Sequence, residues 1–206
     1  MNAVSSQDQQ DRLLISKTIQ ALNARYELNR KMEKEPGVEE IITQMVGRLA
    51  KSFGRLSSIQ ARRILDIACG STTSRAPASL YIKTPFGERS LGRASRGYTA
   101  LFEPWFCRIL YELGAAPVGV DFGDLERELF THYRVDLGKP GALDFLPDHS
   151  FDAVQDSRLF GSPEFTSQFP NQADRIKVAQ EIRRQEERLL KPDGLVIHSD
   201  AMALLK

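Results

Sequence analysis

Apolar residues in the first part of the chain recur every three or four positions, which is the period of an amphipathic helix. One set comprises Ile15, Ile19, Leu22 and Tyr26, and a second comprises Val38, Ile41, Ile42, Met45, Val46, Leu49 and Phe53. The sequence Glu-Pro-Gly at 35–37 separates the sets and Gly54 follows the second, so two helices are predicted. We interpret residues 1–55 as a helical cap on the main domain, with a dimer or partner surface as the alternative.

From residue 56 onwards, short apolar runs alternate with helical stretches. The runs predict strands at 63–68, 116–121, 132–136, 150–155 and 195–200. Helices are predicted at 102–114, between Pro104 in the first turn and Gly114 after the end, and at 171–190 with Asn171 as N-cap. The Lys-Pro-Asp-Gly stretch at 191–194 predicts a turn before the last strand. This alternation is typical of an α/β fold in which helices cover both faces of a doubly wound, mainly parallel sheet. Residues 56–206 are therefore predicted to form one such domain.

Composition narrows the functional classes. The 206 residues carry a formal net charge of +1, so no global field attracts nucleic acid or an acidic membrane surface. The N-terminal stretch MNAVSSQDQQ is polar and lacks an apolar core, so we expect no signal peptide, and no run of about 18 apolar residues predicts a membrane span. Cys69 and Cys107 form no CxxC pair, so we expect a reducing, cytoplasmic setting. The scattered His132, His149 and His198 predict no metal site.

Acidic residues stand at the ends of successive predicted strands. Asp66 ends the first strand shortly before Gly70, Asp121 ends the second, and Asp136 ends the third, while Gln155 follows the fourth. In open parallel sheets, ligands bind beyond the carboxyl ends of the strands. Carboxylates there accept hydrogen bonds from ligand hydroxyls, ligand amines or loop amides, and glycine lets the backbone approach a ligand closely. The sequence therefore predicts a binding site along this edge.

The motifs that contain these residues resemble those of class I methyltransferases that use S-adenosylmethionine. ILDIACGS at 64–71 resembles the first family motif, a strand followed by an acid and a glycine-rich loop, and VGVDFGD at 118–124 resembles the second. RVDLG at 134–138, FLPDHSFDAVQ at 145–155 and ERLLKPDGLVI at 187–197 are similar to the segments that follow. The resemblance rests on the order of these motifs more than on any one of them.

This resemblance implies a Rossmann-like domain with strand order 3-2-1-4-5 and S-adenosylmethionine as cofactor. It implies that Asp121 binds the ribose hydroxyls and that Asp136 and Leu137 flank the adenine. The full set of implied donor-binding residues is Asp66, Ala68, Gly70, Ser71, Asp121, Phe122, Asp136, Leu137 and Gln155. Catalytic residues stay unassigned, because methyl transfer from a sulfonium depends mainly on positioning the two reactants. The expected partner is a small-molecule acceptor, and a homodimer is compatible with the sequence.

Several of these residues also have a structural interpretation. Asp66 can bond loop amides, Gly70 can serve the turn alone, and Asp121 can cap a helix. We interpret Asp152 as holding the turn before the fourth strand. Cys69 is interpreted as a packed small residue rather than a nucleophile.

Two features depart from the family pattern. Where the family often has three glycines in the first loop, this chain has Ala68, Gly70 and Thr72. The methyl group of Ala68 adds little bulk, but the β-branched Thr72 restricts the backbone. After Asp200 only residues 201–206 follow, so we expect either a truncated C-terminal sheet edge or an edge that the insertion or a partner chain covers. Both features favour a non-catalytic, methyltransferase-like binding or scaffold module as the alternative function, whereas the retained acids disfavour it.

The third departure is an insertion at 74–100. Asp66 and Asp121 lie 55 positions apart, where a strand, loop and helix need roughly 20–25. The stretch LYIKTPFGERSL predicts a hairpin around Pro-Phe-Gly. This segment contains one acidic residue, Glu88, and five basic residues, namely Arg75, Lys83, Arg89, Arg93 and Arg96. We interpret it as a lid that binds an anionic acceptor, with a solvated loop as the alternative.

Two further enzyme classes fit the sequence less well. A nicotinamide-dependent oxidoreductase would be expected to carry GxGxxG after the first strand, and this chain does not. The basic insertion permits a nucleic-acid methyltransferase, but DSRL at 156–159 lacks the aromatic tetrapeptide of amino-methylating DNA enzymes. No aromatic-rich basic surface is visible in the sequence either.

Overall fold

A computed structural model describes residues 6–25, 37–71, 81–84, 87–90, 103–123, 128–156, 159–160 and 163–197 of the chain. The helices, in chain order, are α1 (Ser6–Asn23), α2 (Val38–Ser52), α3 (Trp105–Glu112), α4 (Pro163–Gln168) and α5 (Gln172–Leu189), with a 3-10 helix at Leu56–Ile59. The strands are β1 (Arg63–Ile67), β2 (Tyr81–Thr84), β3 (Gly87–Ser90), β4 (Ala116–Asp121), β5 (Thr131–Arg134), β6 (Phe151–Gln155) and β7 (Leu190–Ile197).

Five of these strands form one parallel sheet in the order β5-β4-β1-β6-β7. Counted along the chain without the hairpin β2–β3, this is the order 3-2-1-4-5, so the predicted fold class and strand order are confirmed. The central strand β1 pairs with β4 on one side and with β6 on the other. The direction in which successive strands are added reverses there, and such a reversal leaves a ligand-binding crevice at the carboxyl ends.

Helices cover both faces of this sheet. Successive side chains of a strand point to opposite faces, so Ile64 of β1 joins the core formed with α1, α2 and α3, whereas Leu65 and Ile67 join the core formed with α4 and α5. Every residue of β6 is buried. Because helices shield both faces of the sheet from solvent, the inner strands consist of apolar runs rather than alternating polar and apolar residues.

The N-terminal helices α1 and α2 confirm the two predicted helices and pack on one face of the sheet. Ile15 and Ile19 share a core with Trp105 of α3. Gly54 follows α2 with φ +93°, a conformation that glycine adopts without a steric penalty. Ile41 departs from the predicted stripe, since it lies on the solvent side of α2 and is 45% exposed.

The last strand is longer than the predicted one. Leu190 already pairs with Phe151, and Leu195 pairs with Ala153, so β7 advances five positions while β6 advances two. The Lys-Pro-Asp-Gly stretch at 191–194, predicted as a turn before the strand, is instead extruded as a bulge within it. Proline lacks a backbone N–H and is tolerated at such a bulge.

The remaining elements follow the pattern with small shifts. Pro104 is the N-cap of α3 rather than a first-turn residue, and Gly114 follows the helix with φ +85°. Asn171 is the N-cap of α5, as predicted, and its side chain accepts a hydrogen bond from Ala173 N–H at 2.9 Å. The predicted hairpin is confirmed by the antiparallel pair β2–β3, whereas the short α4 was not predicted. The described part of the chain contains no helix with the length and apolarity to cross a membrane.

Some predictions fall outside the described residues. These concern Tyr26, Thr72, most of the insertion at 74–100, His198 and the C-terminal residues 198–206.

Candidate functional site at the carboxyl ends of the strands

The strand register places two predicted site residues side by side. Asp66 pairs with Gln155 of β6 on one side and with Gly119 of β4 on the other. Asp66 is 4% exposed and Gln155 1% exposed. The thiol of Cys107 on α3 donates to Asp66 Oδ2 at 3.5 Å. A carboxylate and an amide therefore lie in the interior at the carboxyl edge of the central strands.

Asp121 joins the loop after β1 to the loop after β4. Its Oδ2 accepts a hydrogen bond from Gly70 N–H at 3.0 Å, and its Oδ1 accepts one from Gly123 N–H at 2.8 Å. Burial raises the pKa of Asp121, while the N–H groups of Gly123, Gly70 and Phe122 oppose that rise because they stabilise the charged form. Among the described contacts this carboxylate ties two loops together, which brings the predicted glycine loop and the predicted ribose-binding acid to one place.

The loop after β1 packs closely against β4 and the loop that follows it. An added β-carbon at Gly123 would lie 2.1 Å from Ser71 Oγ, and one at Gly119 would lie 2.7 Å from Cys69 Sγ. Ser71 is 1% exposed. Both glycines of β4 and its loop are therefore required by close packing against the loop after β1.

The backbone of Ala68 is strained, although its side chain is small. It adopts φ +58°, and Gly70 adopts φ +96°. For a residue with a β-carbon the left-handed region costs about 1–2 kcal/mol, so the alanine at the first family glycine position is strained by its backbone rather than by its bulk.

Asp136 and Leu137 lie just beyond β5, next to the end of β4. Val135 N–H donates to the backbone oxygen of Asp121 at 2.7 Å. This bond holds the segment after β5 beside the end of β4. Asp136 Oδ1 accepts from Gly138 N–H at 3.1 Å, so the carboxylate closes its own turn. Leu137 packs against the core that includes α4 and α5.

Phe122 has a different environment from the other predicted donor-binding residues. It follows Asp121 directly and is 62% exposed, and its backbone oxygen accepts from Arg134 Nε at 3.1 Å. An exposed aromatic ring beside the site offers a flat apolar surface that a planar ligand group can cover.

The cysteines near this site are inert in character. Cys69 and Cys107 are free and buried, and they form a small cluster with Phe130. Burial raises the pKa of Cys69 to about 11 and also raises the pKa of Cys107 well above its ordinary value. A thiol that stays protonated is a poor nucleophile, which agrees with the interpretation of Cys69 as a packing residue.

The sequence analysis missed a buried ion cluster next to the site. Arg108 of α3 donates to Glu103 Oε2 at 2.6 Å and to Glu128 Oε1 at 2.5 Å, and all three side chains are at most 4% exposed. The available signal was the arginine itself, because it interrupts the otherwise apolar stretch WFCRIL, every residue of which is buried. Its partner Glu128 lies 20 positions away and cannot be read from helical spacing.

A second missed group is Glu186 on α5. It is 2% exposed, and its Oε1 has no hydrogen-bond partner among the described residues. Burial first, and then the charge of Asp156 just after β6, raises the pKa of Glu186 to about 8. This carboxyl is therefore protonated at neutral pH, which a sequence pattern of polar residues on a helix does not predict.

Asp152 is structural, as predicted, but its described partners lie at the starts of β1 and β7 rather than in the turn before β6, at the opposite, amino end of the sheet. Its carboxylate accepts from Arg63 N–H at 2.9 Å, from Arg62 at 3.0 Å and from Lys191 at 2.9 Å. These contacts hold the starts of β1, β6 and β7 together. Within the described residues no group of His, Cys, Asp and Glu side chains has an arrangement that could hold a metal ion.

Comparisons with known proteins give fold similarities only. No protein-family model and no curated protein matches this chain. Among similar solved structures are a SAM-dependent methyltransferase from Archaeoglobus fulgidus (17% identity, 73% of this chain and 48% of that chain, TM-score 0.36) and the CurJ carbon methyltransferase (10%, 96% and 52%, TM-score 0.42). The CalH trans-methyltransferase in complex with SAH is a third (14%, 89% and 52%, TM-score 0.34).

This chain therefore spans about half the length of each of these methyltransferases. The likeness is too distant to assign an activity. The fold assignment stands on the observed strand order, and the function has to be argued from the site.

Proposed function

We propose that this chain binds S-adenosylmethionine at the carboxyl ends of β1, β4 and β5 and transfers its methyl group to a small-molecule acceptor. The observation that carries the proposal is the contact of Asp121 with Gly70. It joins an acid at the end of the second sheet strand to the glycine loop of the first. This is where a doubly wound sheet binds a nucleoside ligand.

The residues present are compatible with this donor. The carboxylate of Asp121 has four acceptor sites in all, and the N–H groups of Gly70, Gly123 and Phe122 occupy three of them. The remaining site can accept a hydrogen bond from a ribose hydroxyl. Phe122, which is 62% exposed, offers its ring to the adenine.

The chemistry divides between donor and protein. S-adenosylmethionine, when bound, supplies a methyl group already activated by the sulfonium. The protein then has to orient the donor and exclude water, which is the larger part of catalysis for such a displacement. Asp66 and Gln155 are buried at the base of the site, so they offer polar groups to the donor in a place shielded from water.

We further propose that the acceptor is anionic. Support comes from the insertion between β1 and α3, which combines a hairpin with five basic residues and one acid. Arginine and lysine recognise phosphate and carboxylate groups through charge-assisted hydrogen bonds. The basic side chains themselves lie outside the residues whose side chains the structure describes.

A non-catalytic binding module is the second candidate. The close contact of Ser71 with Gly123 favours it, because it leaves little space for a ligand between the loop after β1 and the loop after β4. In that case the fold would serve as a scaffold.

Calorimetric titration with S-adenosylmethionine and S-adenosylhomocysteine tests the proposal. We expect both ligands to bind, and Asp121→Asn to weaken binding about 10- to 100-fold, the range expected for the loss of charged hydrogen bonds. Asp193→Asn is the matched control, since it makes the same change at an exposed position at the amino end of the sheet. Folded protein that binds neither ligand would rule out donor binding by this chain.

A further inference from the structure

We propose that Arg108 is a positioning residue that holds in place the link between β4 and β5, residues 122–130, and with it the carboxylate of Asp121. The structure describes 122–123 and 128–130 of this link. The inference rests on the proposed function, because it gives Arg108 a purpose in donor binding. Arg108 lies on α3 and is not expected to touch the donor itself.

Arg108 binds the carboxylates of Glu103 and Glu128, and we call these three residues the clamp. Its Nε donates to Glu128 Oε2 at 3.0 Å and its Nη2 donates to Glu128 Oε1 at 2.5 Å, a bidentate arrangement. The same Nη2 donates to Glu103 Oε2 at 2.6 Å. The guanidinium also stacks over the ring of Trp105, with its carbon 4.7 Å from the ring centroid. Bidentate pairing fixes the direction of the arginine as well as its distance.

The two carboxylates play different parts in this clamp. Glu103 belongs to the same segment as Arg108, five positions earlier, so its bond is local. Glu128 belongs to the link between β4 and β5, so its bond joins two segments that are otherwise separate in the chain. Only the pair with Glu128 can set the position of the link.

The link meets the donor site at both of its ends. At its start, Gly123 packs on Ser71 and donates its N–H to Asp121. At its far end, Phe130 lies in the cluster with Cys69 of the glycine loop. Glu128 lies two positions before Phe130, so its bond to Arg108 also holds Phe130 against the glycine loop, which donates the Gly70 N–H to Asp121.

Burial makes the clamp stiff and sensitive to change. The side chains of Arg108, Glu103 and Glu128 are 2%, 0% and 4% exposed. Breaking a buried ion pair from one side leaves an uncompensated charge and strongly destabilises the fold. A loss of stability alone would therefore not distinguish positioning from plain structural support, so the test compares the two glutamates.

The experiment measures S-adenosylhomocysteine affinity by calorimetry, together with Tm, for Glu128→Gln and Glu103→Gln. Each change removes one negative charge beside the same Arg108 guanidinium and keeps the size of the glutamate side chain. We expect comparable losses in Tm, but donor affinity at least fivefold weaker in Glu128→Gln than in Glu103→Gln. We also expect faster hydrogen exchange in peptides that cover 119–130 for Glu128→Gln only.

Equal affinities in two folded variants, with equal exchange in these peptides, would overturn the positioning role. If a glutamine variant does not fold, Glu128→Asp against Glu103→Asp makes the same comparison, since the shorter acid keeps its charge but loses the reach to Arg108. Absence of ligand binding by the wild-type protein would count against the proposed function instead, and the exchange comparison alone would then decide whether Glu128 anchors the link.

Discussion

At the scale of the residue, the buried carboxyl of Glu186 makes a pH-dependent prediction. Its pKa is raised from an ordinary 4.5 to about 8 by burial and by Asp156. Between these values the unfolded chain releases a proton that the folded protein keeps, so the free energy of unfolding falls as pH rises, by at most about 1.4 kcal/mol per pH unit. Of the other charged groups that act on it, Arg183 lowers this pKa and Glu187 raises it.

Glu186→Gln should therefore remove much of the loss of stability between about pH 5 and pH 8. The neutral amide keeps the shape of the protonated acid and cannot ionise. Urea unfolding at pH 5, 6.5 and 8 measures this effect, with Glu40→Gln, at an exposed position of α2, as control. A Glu186→Gln protein with the same pH profile as the wild type would show that the acid is not held neutral in the fold.

Single residues also show where sequence reasoning stops. The acids at strand ends could be placed from the apolar runs alone, because a strand that ends in a parallel sheet fixes where its last residue lies. Arg108 and Glu186 could not be interpreted in this way, since their environments depend on long-range packing. The left-handed backbone of Ala68 was likewise invisible, because alanine gives no sign of a positive φ.

At the scale of the elements, Asp152 connects the starts of three strands. Burial alone would raise its pKa, but the hydrogen bonds from Lys191, from Arg63 N–H and from Arg62 outweigh burial and lower it. A lowered pKa means that the charged carboxylate adds stability above its unfolded pKa of about 3.9, and that this stability is lost as pH falls through the lower folded value.

Asp152→Asn should accordingly lower the free energy of unfolding by about 1–3 kcal/mol at pH 7, a range kept modest because Arg62 and Lys191 are partly exposed. The difference from the wild type should shrink as the solution is acidified towards pH 3. Asp148→Asn, at an exposed aspartate in the loop before β6, is the comparison. A deficit that stays constant down to pH 3 would show that charge is not the cause.

The elements were predictable in number and type more than in their ends. Apolar runs located all five strands of the parallel sheet, because inner parallel strands are buried on both faces. The sequence predicts a turn at 191–194 where the structure has a bulge, since Pro and Gly are typical of both and only the pairing with β6 distinguishes them. The short α4 has too few turns for a periodic pattern to stand out.

At the scale of the whole molecule, the fold brings to one edge residues that are distant in sequence. Asp66 and Gln155 are neighbours in the sheet although they are far apart in the chain, and Asp121 reaches back to Gly70. The resemblance to class I methyltransferases anticipated this meeting of loops. It could not anticipate the acceptor, because donor motifs carry no information on the acceptor atom.

The proposed activity therefore depends on donor binding at this edge of the sheet. Hydrogen–deuterium exchange of the full chain, with and without saturating S-adenosylhomocysteine, tests this most directly. We predict slower exchange in peptides that cover 64–71 and 117–123, and unchanged exchange in those that cover 149–152 and 190–194 at the opposite end of the sheet. Protection confined to that opposite end, or bound ligand that leaves 64–71 and 117–123 unprotected, would contradict a donor site at the carboxyl ends of β1 and β4.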